Sequence, residues 1–230
     1  MHTAVDNGIN FIDVSPYYGH YKAETVLGKA LKEIPRDKYY LSTKVGRYGK
    51  DGVNTWDYSA KRVTDSVYES MERLNIDYID LINVHDVEFA DLNQIVNETL
   101  PALVALRDKG VVGHVGITDL QPENLKWVIE HVPSGTVESV LNFCHYSLND
   151  EMLLDYLDFF EANGVGVVNA SPFSMGLLSR RGAPAWHPAP ESLKQACRRA
   201  AEHCEARNYP IEKLAVQYST SNPRIATTLF

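Results

Sequence analysis

The segment Tyr78-Ile79-Asp80-Leu81-Ile82-Asn83-Val84 is an almost continuous apolar run, which is typical of a strand buried on both faces. A second run of this kind occupies residues 111–117, and between the two lies an amphipathic helix at 91–109 that ends at Gly110, a helix-stop residue. Two strands joined through a helix run parallel in one sheet, with a right-handed crossover. This segment therefore predicts a parallel α/β fold.

The same strand–helix unit recurs along the whole chain. We predict seven strands, at residues 9–13, 39–43, 78–84, 111–117, 137–143, 165–170 and 225–230. Further helices are predicted at 59–74 with Ser59 as its cap, at 122–132 with Pro122 near its start, from a cap at Asn149 or Asp150 to Gly164, and after Pro190 and Pro210.

Two architectures satisfy this alternation, a closed barrel and an open doubly wound sheet. No GxGxxG motif follows any predicted strand, which disfavours a dinucleotide-binding open sheet. We therefore predict a (β/α)₈ TIM barrel formed as a single domain over residues 1–230. The barrel is expected to be incomplete, because this fold needs eight strands and seven are predicted.

Composition excludes several classes of function. A formal net charge of −8 disfavours nucleic acid as a partner, and the sequence has no apolar run long enough to cross a membrane. Residues 1–8 are polar and lack the apolar core that is expected of a signal peptide. The three cysteines Cys144, Cys197 and Cys204 lack CxxC spacing, which argues against disulfides and structural zinc and for free thiols in the cytoplasm. We expect no metal, and the oligomeric state is not readable from the sequence.

Polar residues follow the carboxyl ends of three consecutive strands. These are Asp13, with Tyr18 in the loop after it, then Lys44, then His85. In a (β/α)₈ barrel these ends share one rim, where the chemistry of the fold takes place. Such a set suits proton transfer coupled to hydride transfer. Tyr18 is the expected acid or base, with its pKa lowered by the Lys44 ammonium, and His85 is expected to hold the substrate oxygen.

Each of these residues also has a structural explanation. A strand-end Asp or Lys is often a solvated rim charge, and a lone His usually satisfies a local carbonyl group. The functional interpretation therefore depends on their joint placement at one rim.

The residues that carry these positions resemble the aldo-keto reductase family. The similar stretches are Phe11-Ile12-Asp13-Val14-Ser15-Pro16-Tyr17-Tyr18-Gly19, residues 41–44, 78–85, 113–118 and 170–178. The resemblance implies a catalytic tetrad of Asp13, Tyr18, Lys44 and His85 and a nicotinamide cofactor, NAD or NADP. It implies cofactor contacts from Thr118, Asp119, Asn142, Ser171, Phe173, Ser174, Gly176 and Leu177.

The chain departs from the family pattern at four residues of the expected cofactor region. Thr118-Asp119 replaces a common Ser-Asn pair, and Ala170 stands where an aromatic residue often stacks on the nicotinamide ring. Asn142 is the amide nearest to an expected glutamine.

Residues 44–48, 85–89, 144–146 and 184–189 are similar to the plant branch of the family whose members oxidise L-galactose. This implies oxidation of an L-galactose-like aldose at C1 to its lactone. Two alternatives stay open: a carbonyl or pyridoxal-type reductase, and a non-catalytic nicotinamide-binding regulatory barrel. Tyr17 and Trp186, with His187, are candidate substrate contacts, although both aromatic side chains could equally be packing residues.

The resemblance also implies that parts of the barrel lie outside these 230 residues. Those parts are the first strand with the hairpin before it, and the loop and helix that hold the adenosine phosphate. The choice between NAD and NADP is therefore not readable. Because an unclosed barrel leaves strand edges unpaired, we expect these residues alone to fold poorly and to show little activity.

Overall fold

The computed structural model describes residues 1–50 and 53–230. They pack into two compact units, Met1–Val140 and Leu141–Phe230, which are described in turn. The expectation of a single domain stays a prediction.

Unit 1 contains a parallel sheet with the strand order β1-β2-β5-β6 and a separate antiparallel hairpin formed by β3 and β4. The strands are β1 Phe11–Asp13, β2 Tyr40–Val45, β3 Arg47–Lys50, β4 Val53–Trp56, β5 Ile79–Val84 and β6 Val112–Asp119. In register, Asp13 lies opposite Ser42 and Lys44 lies opposite Asn83. The carboxyl ends of β1, β2 and β5 therefore meet at one edge of the sheet, as predicted.

The helices of unit 1 are α1 His2–Asp6, α2 Lys22–Leu31, α3 Ala60–Leu74, α4 Leu92–Gln94, α5 Leu100–Asp108 and α6 Pro122–Glu130. Ser59 caps α3 as predicted, since its Oγ accepts a hydrogen bond from the backbone N–H of Arg62 at 3.3 Å. Pro122 is the first residue of α6, also as predicted.

The prediction of one α-helix over 91–109 is wrong, because a π-helix at Ile95–Thr99 separates α4 from α5. Pro101, in the first turn of α5, has no N–H for the i→i−4 bond to Asn97, and the hydrogen-bond ladder shifts at this point.

Helices α2 and α3 pack against β1 and β2 through a core that excludes water. Gly28 allows the close approach of the two helices, because a Cβ atom there would lie 2.3 Å from the backbone oxygen of Arg73. The buried residues of this cluster are Val14, Leu27, Leu31, Ile34, Tyr39, Leu41 and Leu74. This packing fixes the ends of β1 and β2, which carry the first two candidate site residues.

Strand β7, Ser139–Phe143, begins in unit 1 and ends in unit 2. Within unit 2, β8 Gly166–Ala170 pairs in parallel with β9 Thr227–Leu229, and the backbone N–H of Cys144 donates to the carbonyl of Ala170 at 3.0 Å. All seven predicted strands are thus confirmed, with ends that differ by a few residues. The three cysteines are free, with Cys197 buried and the other two half-buried, as expected.

The helices of unit 2 are α7 Leu157–Ala162, α8 Glu191–Glu205 and α9 Ile211–Ser219. Pro190 and Pro210 are the N-caps of α8 and α9, as predicted. The helix predicted after Asp150 is a 3₁₀ turn, Met152–Tyr156, that continues into α7, and Asp150 accepts a hydrogen bond from the N–H of Met152 at 3.0 Å. Within the described ranges, every helix falls short of the length and apolar character that a bilayer crossing demands.

Candidate active site

Lys44 and Asp13 form a buried ion pair at the ends of β2 and β1. The Lys44 side chain is 2% exposed, and its Nζ donates to Asp13 Oδ1 and to the carbonyl oxygen of Val14 at 3.0 Å. Burial alone opposes the charge on Lys44. The carboxylate of Asp13 and the hydrogen bonds with Asp13 and Tyr18 outweigh it, so that the pKa of Lys44 lies above its ordinary value. The ammonium group is therefore charged at neutral pH.

Tyr18 lies in the loop after β1 and faces this ammonium group. The Lys44 Nζ is 4.9 Å from the centroid of the Tyr18 ring. Tyr18 is 39% exposed, so its ring can be reached from solvent.

The expected direction of the Tyr18 pKa shift is wrong. Lys44 does lower the pKa of Tyr18, but burial of the hydroxyl raises it by more, and the pKa lies above its ordinary value. Tyr18 is therefore a neutral, protonated phenol at physiological pH. In this state it can act as an acid towards a carbonyl oxygen.

His85 follows β5 directly and is 4% exposed. Its ring stands edge-on to Tyr18, with the centroids 5.8 Å apart and the planes at 87°. Burial first, and then the positive charges of Lys44 and Arg47, hold the pKa of His85 well below 6.5. The imidazole is therefore neutral, and it can give a substrate oxygen a hydrogen bond without adding a charge.

Ser15 is a further site residue, to which the sequence pattern gave no role. It is fully buried, and its Oγ accepts a hydrogen bond from the backbone N–H of Tyr17 at 3.1 Å and lies 3.2 Å from His85 Nδ1. With the N–H of Tyr17 as its donor, Ser15 can direct its own hydroxyl hydrogen to Nδ1 of His85. The ring hydrogen of the neutral imidazole then resides on Nε2, the nitrogen available to a substrate.

Ser42 and Asn83 were also missed, and they form a chain of hydrogen bonds that ends at Asp13. Ser42 Oγ donates to Asp13 Oδ2 at 2.8 Å and accepts from Asn83 Nδ2 at 3.0 Å. The signal was available, because Ser42 is two residues before Lys44 on β2 and side chains two apart point to the same face.

Thr118 and Asp119, at the end of β6, are almost completely buried and bonded to the protein itself. Thr118 Oγ1 accepts from the backbone N–H of Asp86 at 2.8 Å, and Asp119 accepts from the N–H of Gln121 at 2.6 Å and from Asn124 Nδ2 at 3.0 Å. Burial raises the pKa of Asp119 to about 6.

Glu88 is a further missed residue beside Asp119. Burial and the Asp119 carboxyl group raise the pKa of Glu88 to about 8. At neutral pH this carboxyl group is therefore largely protonated, so that the two neighbouring acids carry less negative charge than their number suggests.

In unit 2 the loop after β8 has an unusual backbone. Ser171, Ser174, Met175 and Gly176 all have positive φ angles, between 44° and 101°. Such a run costs conformational energy and is typical of functional loops. Ser174 Oγ donates to Asn149 Oδ1 at 2.8 Å, while Ser171 Oγ accepts from the N–H of Met175 at 3.3 Å.

The other candidate cofactor residues of unit 2 differ in exposure. Leu177 is buried in the cluster that includes α8 and α9, and Phe173 packs half-buried against it. Asn142, on β7, is fully buried.

Trp186 and His187 are neighbours in the chain, but they differ in exposure and in hydrogen bonding. Trp186 is 70% exposed, which disfavours the interpretation that it packs the loop down. His187 is buried, accepts at Nδ1 from the N–H of Ala189 at 3.0 Å, and donates from Nε2 to the Ser174 carbonyl at 3.1 Å. His187 is thus a structural residue that ties the two halves of this loop together.

Across residues 1–50 and 53–230, no group of three or more His, Cys, Asp or Glu side chains is arranged to hold a metal ion.

The whole chain is similar to one protein family. The model of the Aldo/keto reductase family matches residues 1–230. L-galactose dehydrogenase of Arabidopsis thaliana is 48% identical over 224 residues, which cover 96% of this chain and 69% of that protein. D-arabinose 1-dehydrogenase of Saccharomyces cerevisiae is 36% identical over 229 residues, which cover 95% of this chain and 67% of that protein.

Solved structures give the same result for the fold. The holo form of aldo-keto reductase AKR11C1 from Bacillus halodurans superposes with a TM-score of 0.80 at 28% identity, over 99% of this chain and 74% of that one. The glycerol dehydrogenase AKR11B4 from Gluconobacter oxydans has a TM-score of 0.76 at 22% identity, which supports the fold alone. The predicted fold class, an incomplete (β/α)₈ barrel, is confirmed.

Proposed function

Because this chain belongs to the aldo/keto reductase family, we propose that it is an oxidoreductase that transfers a hydride between C1 of an aldose and a nicotinamide cofactor. The proposed reaction oxidises an L-galactose-like sugar to its lactone. The observation that carries the proposal is the placement of four groups together: a buried Lys44–Asp13 ion pair, the Tyr18 phenol against the ammonium, and the neutral His85 edge-on to the phenol. The names of the two sugar dehydrogenases among the relatives support the substrate class.

The residues at the strand ends suit a nicotinamide group. A carboxamide needs hydrogen-bond donors and acceptors, and polar side chains that can serve lie at the end of β6, on β7 and in the loop after β8. In unit 1 we propose Thr118 and Asp119 as contacts. In unit 2 we propose the polar residues Asn142, Ser171 and Ser174, with Phe173, Gly176 and Leu177 shaping the loop. When bound, the cofactor supplies the hydride acceptor or donor, and which of NAD and NADP is used stays open.

The side chains of the protein then bind the reacting oxygen atom of the substrate and transfer one proton to or from it. The Tyr18 hydroxyl and the Nε2–H of His85 both bind the reacting oxygen of the substrate, which fixes its orientation. In carbonyl reduction Tyr18 gives its proton to that oxygen. In alcohol oxidation the tyrosinate form removes the proton, and the Lys44 ammonium stabilises that anion. Asp13 neutralises Lys44 and keeps it in place.

Tyr18→Phe tests the proposal in the full-length protein. General acid–base catalysis contributes about 10²- to 10⁴-fold, and we expect a loss of this size in kcat for L-galactose oxidation, with nicotinamide binding retained in a fluorescence titration. Tyr40→Phe is the matched control, since it makes the same change in an exposed tyrosine at the opposite end of β2. Turnover within a few-fold of the parent would refute the role of Tyr18. A non-catalytic nicotinamide-binding protein would show binding and no turnover in the parent itself.

A second candidate function, carbonyl or pyridoxal-type reduction, is favoured by one observation. The raised pKa of Tyr18 makes the tyrosinate that oxidation requires harder to form, whereas reduction uses the protonated phenol. Substrate profiling separates the two functions. Oxidation of L-galactose with little reduction of simple aldehydes supports the dehydrogenase, and the reverse profile supports the reductase.

A further inference from the structure

An ion pair that the proposed mechanism does not use lies beside His85. Arg47 is the first residue of the β3–β4 hairpin, and its guanidinium group pairs with the Asp86 carboxylate. Both side chains are 20% exposed, so the pair is half-buried and can still be reached from solvent. The His85 Nε2 is 3.6 Å from Asp86 Oδ1, which places the pair next to the proposed site of reaction.

The backbone of Asp86 is strained in order to hold this position. Its φ angle is +50°, in the left-handed region that residues other than glycine seldom adopt. Three contacts hold this conformation: the N–H of Asp86 donates to Thr118 Oγ1 at 2.8 Å, and the Tyr58 hydroxyl donates to the carbonyl oxygens of His85 and Asp86 at 2.9 and 3.0 Å. Strain of this kind costs about 1–3 kcal/mol and persists at functional sites.

Aromatic rings surround the guanidinium group. Its central carbon is 3.8 Å from the ring centroid of Tyr17 and 4.7 Å from that of Trp56. Trp56 in turn stacks on Phe89 with the centroids 4.3 Å apart, and Phe89 is 58% exposed. Tyr17, Arg47, Trp56, Asp86 and Phe89 are called the rim wall below.

We propose that the rim wall is the specificity-determining surface that binds the hydroxyl groups of an unphosphorylated sugar, an inference that rests on the proposed function. A sugar hydroxyl both donates and accepts hydrogen bonds, and the Arg47–Asp86 pair offers donors and an acceptor side by side. The aromatic faces can pack against the C–H face of a sugar ring. This combination suits a polyhydroxylated substrate. An aliphatic aldehyde has no hydroxyl groups with which to form these hydrogen bonds.

Charge excludes a phosphorylated substrate. Arg47 is already neutralised by Asp86, so the rim wall has no free cation for a phosphate group. Asp119, whose pKa is about 6, lies nearby and is largely ionised at neutral pH, and the His85 imidazole is neutral. An anionic substrate would therefore meet the Asp119 carboxylate without a compensating charge, whereas a neutral sugar would not.

Arg47→Met tests the hydroxyl contacts, because it keeps an unbranched apolar stem between the rings and removes the guanidinium donors. For the full-length protein we expect kcat/KM for L-galactose to fall about 10- to 100-fold, mainly through KM, while reduction of hexanal stays within about threefold. Arg62→Met is the matched control, since Arg62 also stacks on a tyrosine, at 4.2 Å from the Tyr48 ring, and pairs with Glu69. An equal loss for both substrates, or no loss for the sugar, would overturn the proposal.

Asp86→Asn provides an independent test through charge. Freeing Arg47 is expected to raise the ratio of kcat/KM for glyceraldehyde 3-phosphate over glyceraldehyde at least about fivefold, since a guanidinium group without a partner can bind phosphate. An unchanged ratio argues against the rim wall as the origin of the charge selectivity. A parent that reduces hexanal yet does not oxidise any free aldose would instead overturn the proposed function, and the rim wall proposal with it.

Discussion

Neutralising the buried ion pair of the site one residue at a time should separate its role in catalysis from its effect on stability. Lys44 directs its ammonium group to Asp13, to the Val14 carbonyl and to Tyr18, while Asp13 has Ser42 as a second donor. Lys44→Met leaves the Asp13 carboxylate buried with Ser42 alone. Asp13→Asn leaves the ammonium without a counter-charge. The double variant leaves neither charge.

The magnitude follows from the exposure of the pair, 2% for Lys44 and 9% for Asp13. Removing one partner from a pair buried to this degree costs about 3–5 kcal/mol of unfolding free energy, because the other charge is left uncompensated. Replacing both by neutral side chains of similar size is often nearly neutral. We therefore expect each single variant to lose about 3–5 kcal/mol and the double variant to lie within about 2 kcal/mol of the parent.

Urea unfolding at pH 7, with the three variants arranged as a double-mutant cycle, gives these energies, and steady-state kinetics should show all three to be inactive. The pH dependence offers a second check on Asp13→Asn. Without Asp13, burial lowers the pKa of Lys44, so the unfolded state binds more protons than the folded state and stability rises as the pH approaches 10. A Lys44→Met variant as stable as the parent, or a double variant less stable than both singles, would refute the reasoning.

Three further outcomes can be measured by urea unfolding, by kinetics or by NMR. The shift of the Glu88 pKa from 4.5 to about 8 corresponds to about 5 kcal/mol, which solvent screening and coupling to Asp119 reduce to about 2 kcal/mol. Because this pKa is raised in the folded state, the stability of the parent protein should fall as the pH rises from 5 to 8. Glu88→Gln should remove this fall in urea unfolding. Ser15→Ala should lower kcat about tenfold with little change in KM and alter the imidazole tautomer seen by NMR, whereas Ser15→Thr should keep most of the rate. Gly28→Ala should cost about 2–3 kcal/mol because its Cβ would meet the backbone of α3, whereas Gly110→Ala, with open space around it, should cost about 1 kcal/mol.

The regular part of the fold could be predicted because its signals are local and repeated. Each parallel strand is a short apolar run, and the helix at 60–74 has a Ser cap and a regular apolar stripe. The β3–β4 hairpin was not predicted, since Arg47–Lys50 is polar and pairs outside the main sheet. The π-helix at Ile95–Thr99 was missed because it depends on a single residue, Pro101, inside an otherwise continuous helical pattern.

For the candidate site, the positions of the tetrad residues could be predicted from the sequence, but the burial and hydrogen bonding around them could not. Strand ends meet at one rim, and this topology was enough to bring Asp13, Lys44 and His85 together around Tyr18. The direction of the Tyr18 pKa shift depends on how much burial opposes the attraction of Lys44, and no sequence pattern reports that balance. The contact between Ser15 and His85 likewise joins two positions that are 70 residues apart in the chain, and it depends on the path of the loop after β1.

The charges of the tetrad and of the rim wall balance to nearly zero, and this balance suits the proposed chemistry. Lys44 cancels Asp13, Arg47 cancels Asp86, and His85 is neutral. A protonated phenol is then the group that can release a proton to a substrate oxygen, and the adjacent ammonium stabilises the anion that remains. Because each ion pair has no net charge, a neutral sugar can bind without separating either pair. An ionic substrate would have to break one of the two ion pairs in order to gain a counter-charge. Under the proposed function, we therefore expect the arrangement that holds Tyr18 for proton transfer to favour uncharged, hydroxyl-bearing substrates as well.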